Sequence, residues 1–199
     1  MDSVSKEVRL VQEVYDLREL EKKIAASDFD AERDGTAEVV DVDVMQTYVE
    51  GLLAYIDEDK LKPYKVVANT VNGPAGPVIN ALEKKLPFDI VKLNNVFDRS
   101  FPYGVPDSAN AGMRAATAAA VAEQEADMGV LWDLDLGTCC LFDENGRCIS
   151  GACGERGMLL WLLVLELLSR SKGKKLSELL AAETFSWQDI AARLREARH

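Results

Sequence analysis

The sequence predicts an α/β fold, a three-layer α/β/α sandwich with a mixed, mostly parallel sheet and an antiparallel edge hairpin. Three observations carry this expectation. Short β-rich runs at 64–68, 89–93 and 128–132 alternate with helical stretches at 78–86 and 111–126, a pattern that builds parallel strands shielded on both faces. A fourth run, 139–142, leads through Asp143-Glu144-Asn145-Gly146 into a short strand at 147–149, which reads as a hairpin. The chain has 199 residues, 48% hydrophobic and 29% charged, enough to bury a core without staples.

Taken in order, residues 6–26 place Val8, Val11, Val14, Tyr15, Leu20 and Ile24 at helical spacing among charges, an amphipathic helix. The polar stretch 27–38 reads as a loop. Val40, Val42 and Val44 alternate with Asp41 and Asp43, a half-buried strand signal, before Tyr48, Leu52, Leu53 and Ile56 restore a helical period. The α/β pattern begins at Pro63. A turn at 72–77 separates the first β-rich run from the first helix, and a loop rich in Pro and Gly spans 94–108. Residues 155–169 are nearly apolar all round, so this helix is expected to be buried or pressed against a partner. Ser186-Trp187-Gln188-Asp189 resembles a capping box opening a last helix with Ile190 and Leu194 inward. The expected layout is one domain, 1–199, comprising an N-terminal region 1–45, an α/β core 46–151 and C-terminal helices 152–199.

Charge narrows the partners. The formal net charge is -11, and most of the surplus of acids lies in residues 1–62 (17 acids, 8 bases), with 11 acids and 7 bases in 63–151, while residues 152–199 carry 6 acids and 8 bases. An acidic chain without a basic stripe gains nothing from counterion release, so nucleic acid is not an expected partner. The most apolar run, 158–168, contains Glu166 and is about half the length that spans a bilayer. With no basic start leading into an apolar stretch, a soluble cytoplasmic protein is expected. Cys139, Cys140, Cys148 and Cys153 fall within fifteen residues but form no C-x-x-C pair and have no nearby histidine. Buried apolar thiols are expected there, ahead of a metal or disulfide cluster. The single histidine is His199, the final residue, so triad chemistry is not expected.

Two segments carry candidate site residues. Asn72, Gly73 and Gly76 belong to a strand-to-helix turn that lacks the residues of a nucleotide loop, so a structural tight turn is expected. Asp133 and Asp135 lie at the carboxyl end of the third strand, where α/β folds place ligands, and two carboxylates there are a weak magnesium site.

Several collinear segments then resemble one family. Tyr48-Val49-Glu50-Gly51-Leu52-Leu53-Ala54-Tyr55-Ile56-Asp57, Leu61-Lys62-Pro63, Lys65-Val66-Val67-Ala68-Asn69, the 72–77 turn, Asp98, Phe101-Pro102, Gly104, Pro106, Ala126-Asp127-Met128-Gly129 and 141–146 look like the second domain of the phosphomannomutase/phosphoglucomutase enzymes. The resemblance covers roughly residues 40–151. It implies a place in four-domain enzymes that shift phosphate between the 1 and 6 positions of a hexose, using a phosphoserine of the first domain and Mg²⁺. The family's magnesium loop reads Asp-Gly-Asp-x-Asp-Arg, and here it is Asp133-Leu134-Asp135-Leu136-Gly137-Thr138. Leu134, Gly137 and Thr138 depart from it, as do Phe97 and Arg99 in the preceding loop. No segment resembles the catalytic serine loop, the sugar-recognition domain or the terminal phosphate-binding domain.

The reading that results is a stand-alone domain, catalytically incomplete, with no catalytic residue assigned and magnesium bound at most weakly. It resembles a domain cut free and resurfaced by engineering or divergence. One alternative is part of a Mg-dependent mutase acting on hexose phosphates, which would bring a small phosphosugar as partner. A second is a phosphatase similar to the haloacid dehalogenases, with Asp133 as nucleophile and Asp135 as acid/base. A third use of the chain is self-association through 158–168.

Overall fold

The computed structural model describes residues 17–26, 42–149 and 157–179, with Ile190 and Ala192. By contacts the chain divides into two compact units, Met1–Val42 and Asp43–His199, where the sequence layout set an N-terminal region of 1–45 inside one domain. In the first unit, the helical period of 6–26 is realised in α1 (Leu17–Ala26), with Lys23 in the last turn, where a cation complements the helix dipole. Residues 6–16 lie outside the described residues.

The second unit opens differently from the expectation. Residues 42–44 form no strand, and Val42 and Val44 are 71% and 63% exposed. Asp43 instead accepts the Met45 amide through Oδ1 at 2.9 Å, and the Tyr48 amide donates to the Val44 carbonyl at 2.9 Å, so these residues start α2 (Met45–Leu53). The short polar side chain competes with strand pairing by satisfying a helix-terminal donor. Val49, Leu52 and Leu53 are the buried positions of α2.

The sheet contains β1 (Lys65–Asn69), β2 (Asp89–Leu93), β3 (Met128–Trp132), β4 (Cys139–Phe142) and β5 (Cys148–Ile149) in the order β2-β1-β3-β4-β5. β1 pairs parallel with both β2 and β3, in registers Val66↔Ile90 and Val66↔Met128. β4 runs antiparallel to β3 and to β5. The helices are α3 (Ala75–Glu83), α4 (Ala111–Glu123), α5 (Gly157–Arg170) and the short α6 (Leu176–Leu179). α3 begins three residues before the expected start, because Pro74 precedes its first turn with φ -67, already helical. α4 ends at Glu123, and Asn110 caps its start by accepting the Met113 amide.

Two core clusters mark the two faces of the sheet. Val66, Ala68, Met128, Val130, Trp132 and Leu141 pack with α2, α3 and α5 on one face. Val67, Leu131, Cys140 and Phe142 pack with Met113, Ala120 and Val121 of α4 on the other. The alternation along each strand sorts its residues between the layers, which makes the three-layer sandwich. Trp161 of α5 anchors the thicker layer, its ring centroid 6.0 Å from those of Phe88 and Trp132.

All residues of α5 from Gly157 to Ser169 are buried. Of the two readings of that apolar run, burial within the chain is what the structure presents. Glu166, fully buried, receives the Arg170 guanidinium at 2.9 Å and the Asp57 amide at 3.2 Å, and Arg170 also pairs with the Asp57 carboxylate at 2.6 Å. A buried carboxylate needs such a partner. Among the described residues no helix is long and apolar enough to cross a membrane.

The cysteine expectation needs a correction. Cys140 and Cys148 form a disulfide across the hairpin, with a Cα separation of 6.6 Å. The register Phe142↔Cys148 places Cys140 two residues along β4 from that pair, so the two thiols are diagonal neighbours on the α4 face. No spacing rule foretells that juxtaposition, which depends on where the hairpin turns. Cys139 points to the opposite face and is buried with the α5 layer. Cys153 and the 186–189 capping box lie outside the described residues.

Candidate functional site

The carboxyl ends of β1 and β3 converge on three segments, the 70–76 turn, the 94–110 loop and the 133–138 loop. The last of these carries both acidic candidates. The chain reverses there from β3 into β4, with the Asp133 amide donating to the Thr138 carbonyl at 3.2 Å and the Leu136 amide to the Asp133 carbonyl at 3.2 Å. Leu136 adopts φ +60 at the crest and packs partly buried against the α5 core.

Asp133 is held from two sides. Its Oδ1 accepts the Ser108 amide and its Oδ2 accepts the Thr138 hydroxyl. Ser108 is itself fixed, since the Arg114 guanidinium Nε donates to its carbonyl. Burial opposes ionisation of Asp133, but the Thr138 hydroxyl, the Ser108 amide and hydroxyl and the Arg114 charge outweigh it and hold the carboxyl below the usual aspartate range. Asp135 is exposed and turns back on its own loop, its Oδ1 accepting the Gly137 amide at 2.8 Å. From the other side, the Gly157 amide at the head of α5 donates to the Gly137 carbonyl at 2.8 Å, and the Trp132 indole donates to the Gly157 carbonyl at 3.1 Å.

To magnesium the loop offers two carboxylates, so most of the oxygens around the ion would have to come from water or a bound phosphate. Mg²⁺ takes six oxygens in near-ideal octahedral geometry. Three of the four carboxylate oxygens of Asp133 and Asp135 already accept internal donors, and the position of a third acid is Gly137. Among the described residues there is no group of three or more His, Cys, Asp or Glu side chains placed to hold a metal. Leu134 is 40% exposed beside these groups and offers no ligand.

The turn at Asn72, Gly73 and Gly76 lies at the same end but uses its polar groups internally. The amides of Asn72, Gly73 and Gly76 donate to the carbonyls of Asn94, Thr70 and Gly73 at 2.6, 2.7 and 3.2 Å. A cradle for phosphate needs such amides free. A Cβ on Gly76 would lie 2.2 Å from the Asn95 carbonyl oxygen, and one on Gly73 would lie 2.7 Å from Pro106 Cγ. The Asn72 side chain donates to the Val96 carbonyl at 2.6 Å, and the Asp98 amide donates to the Asn72 carbonyl at 2.9 Å. The turn therefore seats the 94–110 loop, which in turn delivers Ser108 to Asp133.

Sequence reasoning named both acids and noted Thr138, but it missed Ser108, Arg114 and Gly157. Ser108 is 25 residues from Asp133 and Gly157 is 20 from Gly137, and no local pattern links them. The one usable signal was Asn110 as a helix cap, which fixes where the loop ends.

Comparison with known proteins follows the same lines. The profile of phosphoglucomutase/phosphomannomutase, alpha/beta/alpha domain II, matches residues 46–146. A phosphomannomutase of Vibrio cholerae is 38% identical over 154 residues, covering 75% of this chain and 32% of its own length. A protein of Xanthomonas campestris described as phosphohexose mutases is 41% identical over 128 residues, 64% of this chain and 28% of that one. In structure, a phosphoglucomutase/phosphomannomutase family protein from Burkholderia thailandensis superposes with a TM-score of 0.56 at 29% identity, covering 66% of this chain and 28% of that chain. The chain thus spans about a third of the length of the curated relatives it matches. None of these relatives lends support to the phosphatase alternative.

Proposed function

The chain belongs to the phosphoglucomutase/phosphomannomutase family, its residues 46–146 forming the α/β/α domain II, and from that premise we propose a scaffold domain with a degenerate magnesium loop and no self-sufficient mutase activity. One observation carries the reading: both oxygens of Asp133 are committed to Ser108 and Thr138. Phosphoryl transfer rests on positioning and on charge stabilisation of the moving phosphoryl group. The 133–138 loop supplies neither a converging set of carboxylates for a cation nor an unengaged cationic side chain for phosphate. What its residues do instead is tie the loop to two other segments, Asp133 to the 94–110 loop and Gly137 to the head of α5.

The test is a coupled assay of the purified chain with glucose 1-phosphate or mannose 1-phosphate and Mg²⁺. Turnover at the level of the blank is expected. Conversion above the blank that is lost in Asp135→Asn would overturn the proposal.

A second reading is favoured by the 38% identity to the Vibrio cholerae phosphomannomutase. In it, the domain serves hexose phosphate exchange as one part of a larger protein. The same assay with the remaining domains of a relative supplied in trans separates the two, because activity in the mixture alone supports the second reading.

A further inference from the structure

The opposite end of the sheet holds a cavity of about 730 Å³ at the amino ends of β1 and β3. We propose that it binds an anionic polyol, a hydroxyl-bearing body carrying one phosphate or carboxylate group. Tyr64, Leu168 and Leu176 contribute apolar surface to its lining. An aromatic ring beside aliphatic side chains suits the C–H face of a polyol or sugar ring.

The charged groups around that surface are sorted by whether they are already used. Lys62 arrives from the segment before β1, while Lys174 and Lys175 come from the turn between α5 and α6. Among the described residues none of these three ammonium groups closes an ion pair and all three are exposed, with the Lys175 charge acting on Glu144 across the cavity. The turn that presents two of them is pinned, with the Lys174 amide donating to the Ser171 carbonyl at 3.0 Å and the Lys175 amide to Glu178 Oε2 at 3.0 Å.

The acids across the cavity are differently placed. Glu144 is committed to Ser177, whose amide and hydroxyl donate to its two oxygens. Asp127, which lines the cavity with Glu125, accepts the Lys65 amide through Oδ2 at 2.8 Å, and no internal donor engages its Oδ1 among the described residues. Carboxylate oxygens of this kind accept hydroxyl protons. A bare polyanion would meet these acids, and a neutral polyol would leave the lysines without a partner. One anionic group on a hydroxyl-rich body uses both sets. The cavity is separated from the 133–138 loop by the length of β3, so this site stands independently of the mutase reading.

The probe is sorbitol 6-phosphate, titrated into the ¹⁵N-labelled full chain, with inorganic phosphate and sorbitol as separate arms. Saturable shifts at the amides of 125–127, 144–145 and 173–176 in about the millimolar range are expected for the phosphorylated polyol, with weaker responses to each part alone. The double variant Lys174→Ala/Lys175→Ala changes two exposed side chains and is expected to weaken binding about tenfold. No saturable shift, shifts confined to 133–138, an equal response to inorganic phosphate alone, or unchanged affinity in the double variant would each overturn the proposal.

Discussion

The Thr138 hydroxyl donates to Asp133 Oδ2 across the loop that joins β3 to β4, while the Ser108 amide takes the other oxygen. Thr138→Val removes the donor and leaves a partly buried carboxylate oxygen unpaired, at a cost of about 1–3 kcal/mol. The midpoint of urea unfolding is expected to fall at unchanged slope, and Thr138→Ser is expected to restore most of the loss.

The same contact gives stability a pH dependence. The folded-state pKa of Asp133 lies below its ordinary value of 3.8, so its contribution is fully present above that value and is lost as the pH falls through the lower folded value. Unfolding midpoints measured from pH 6 down to about pH 2 are expected to drop for the parent chain. The drop is expected to be shallower in Asp133→Asn.

Arg170 and Glu166 form a second internal pair, Glu166 fully buried in α5. Arg170→Met leaves that carboxylate without its cation and is expected to cost about 3–5 kcal/mol, whereas replacing both residues by leucine is expected to cost far less. A double-mutant cycle by denaturant unfolding measures the difference.

Two glycines behave oppositely. Gly76→Ala drives a Cβ to 2.2 Å from the Asn95 carbonyl, a backbone atom that cannot step aside, and is expected to destabilise by more than about 2 kcal/mol. Gly51→Ala in the exposed face of α2 meets nothing within 4 Å and is expected to stabilise by about 0.5–1 kcal/mol. Thermal unfolding of the two variants gives the comparison.

The Cys140–Cys148 disulfide closes a short loop, with a sequence separation of 8. Chain-entropy reasoning assigns it about 2–3 kcal/mol. Cys148→Ser is expected to lower the unfolding midpoint under oxidising conditions and to change it little in the presence of reductant.

Much of the fold was legible because β2, β3 and β4 are short apolar runs bounded by turn residues, and their observed limits, Asp89–Leu93, Met128–Trp132 and Cys139–Phe142, coincide with the runs. Residues 42–44 misled because alternating valines and aspartates imitate a strand, yet Asp43 turns its carboxylate onto the Met45 amide at the head of α2, while residues 40–41 lie outside the described residues. The Cys140–Cys148 pair was hidden by hairpin register, a property of three-dimensional pairing. At the site, the acids at 133 and 135 were legible from their place at a strand end. What those acids do was not, because Ser108 and Gly157 reach the loop from distant segments and leave no periodic trace. Of the three cavity lysines, Lys174 and Lys175 left only the slight basic excess of residues 152–199, and Lys62 sits in the acidic first third of the chain.

The most direct measurement is a Mg²⁺ titration of the ¹⁵N-labelled chain, following the amides of residues 133–138. With Asp133 committed to Ser108 and Thr138, those resonances are expected to stay in place up to about 10 mM metal. Saturable shifts at 133–138 in that range, abolished by Asp133→Asn, would contradict the closed loop and restore a working cation site.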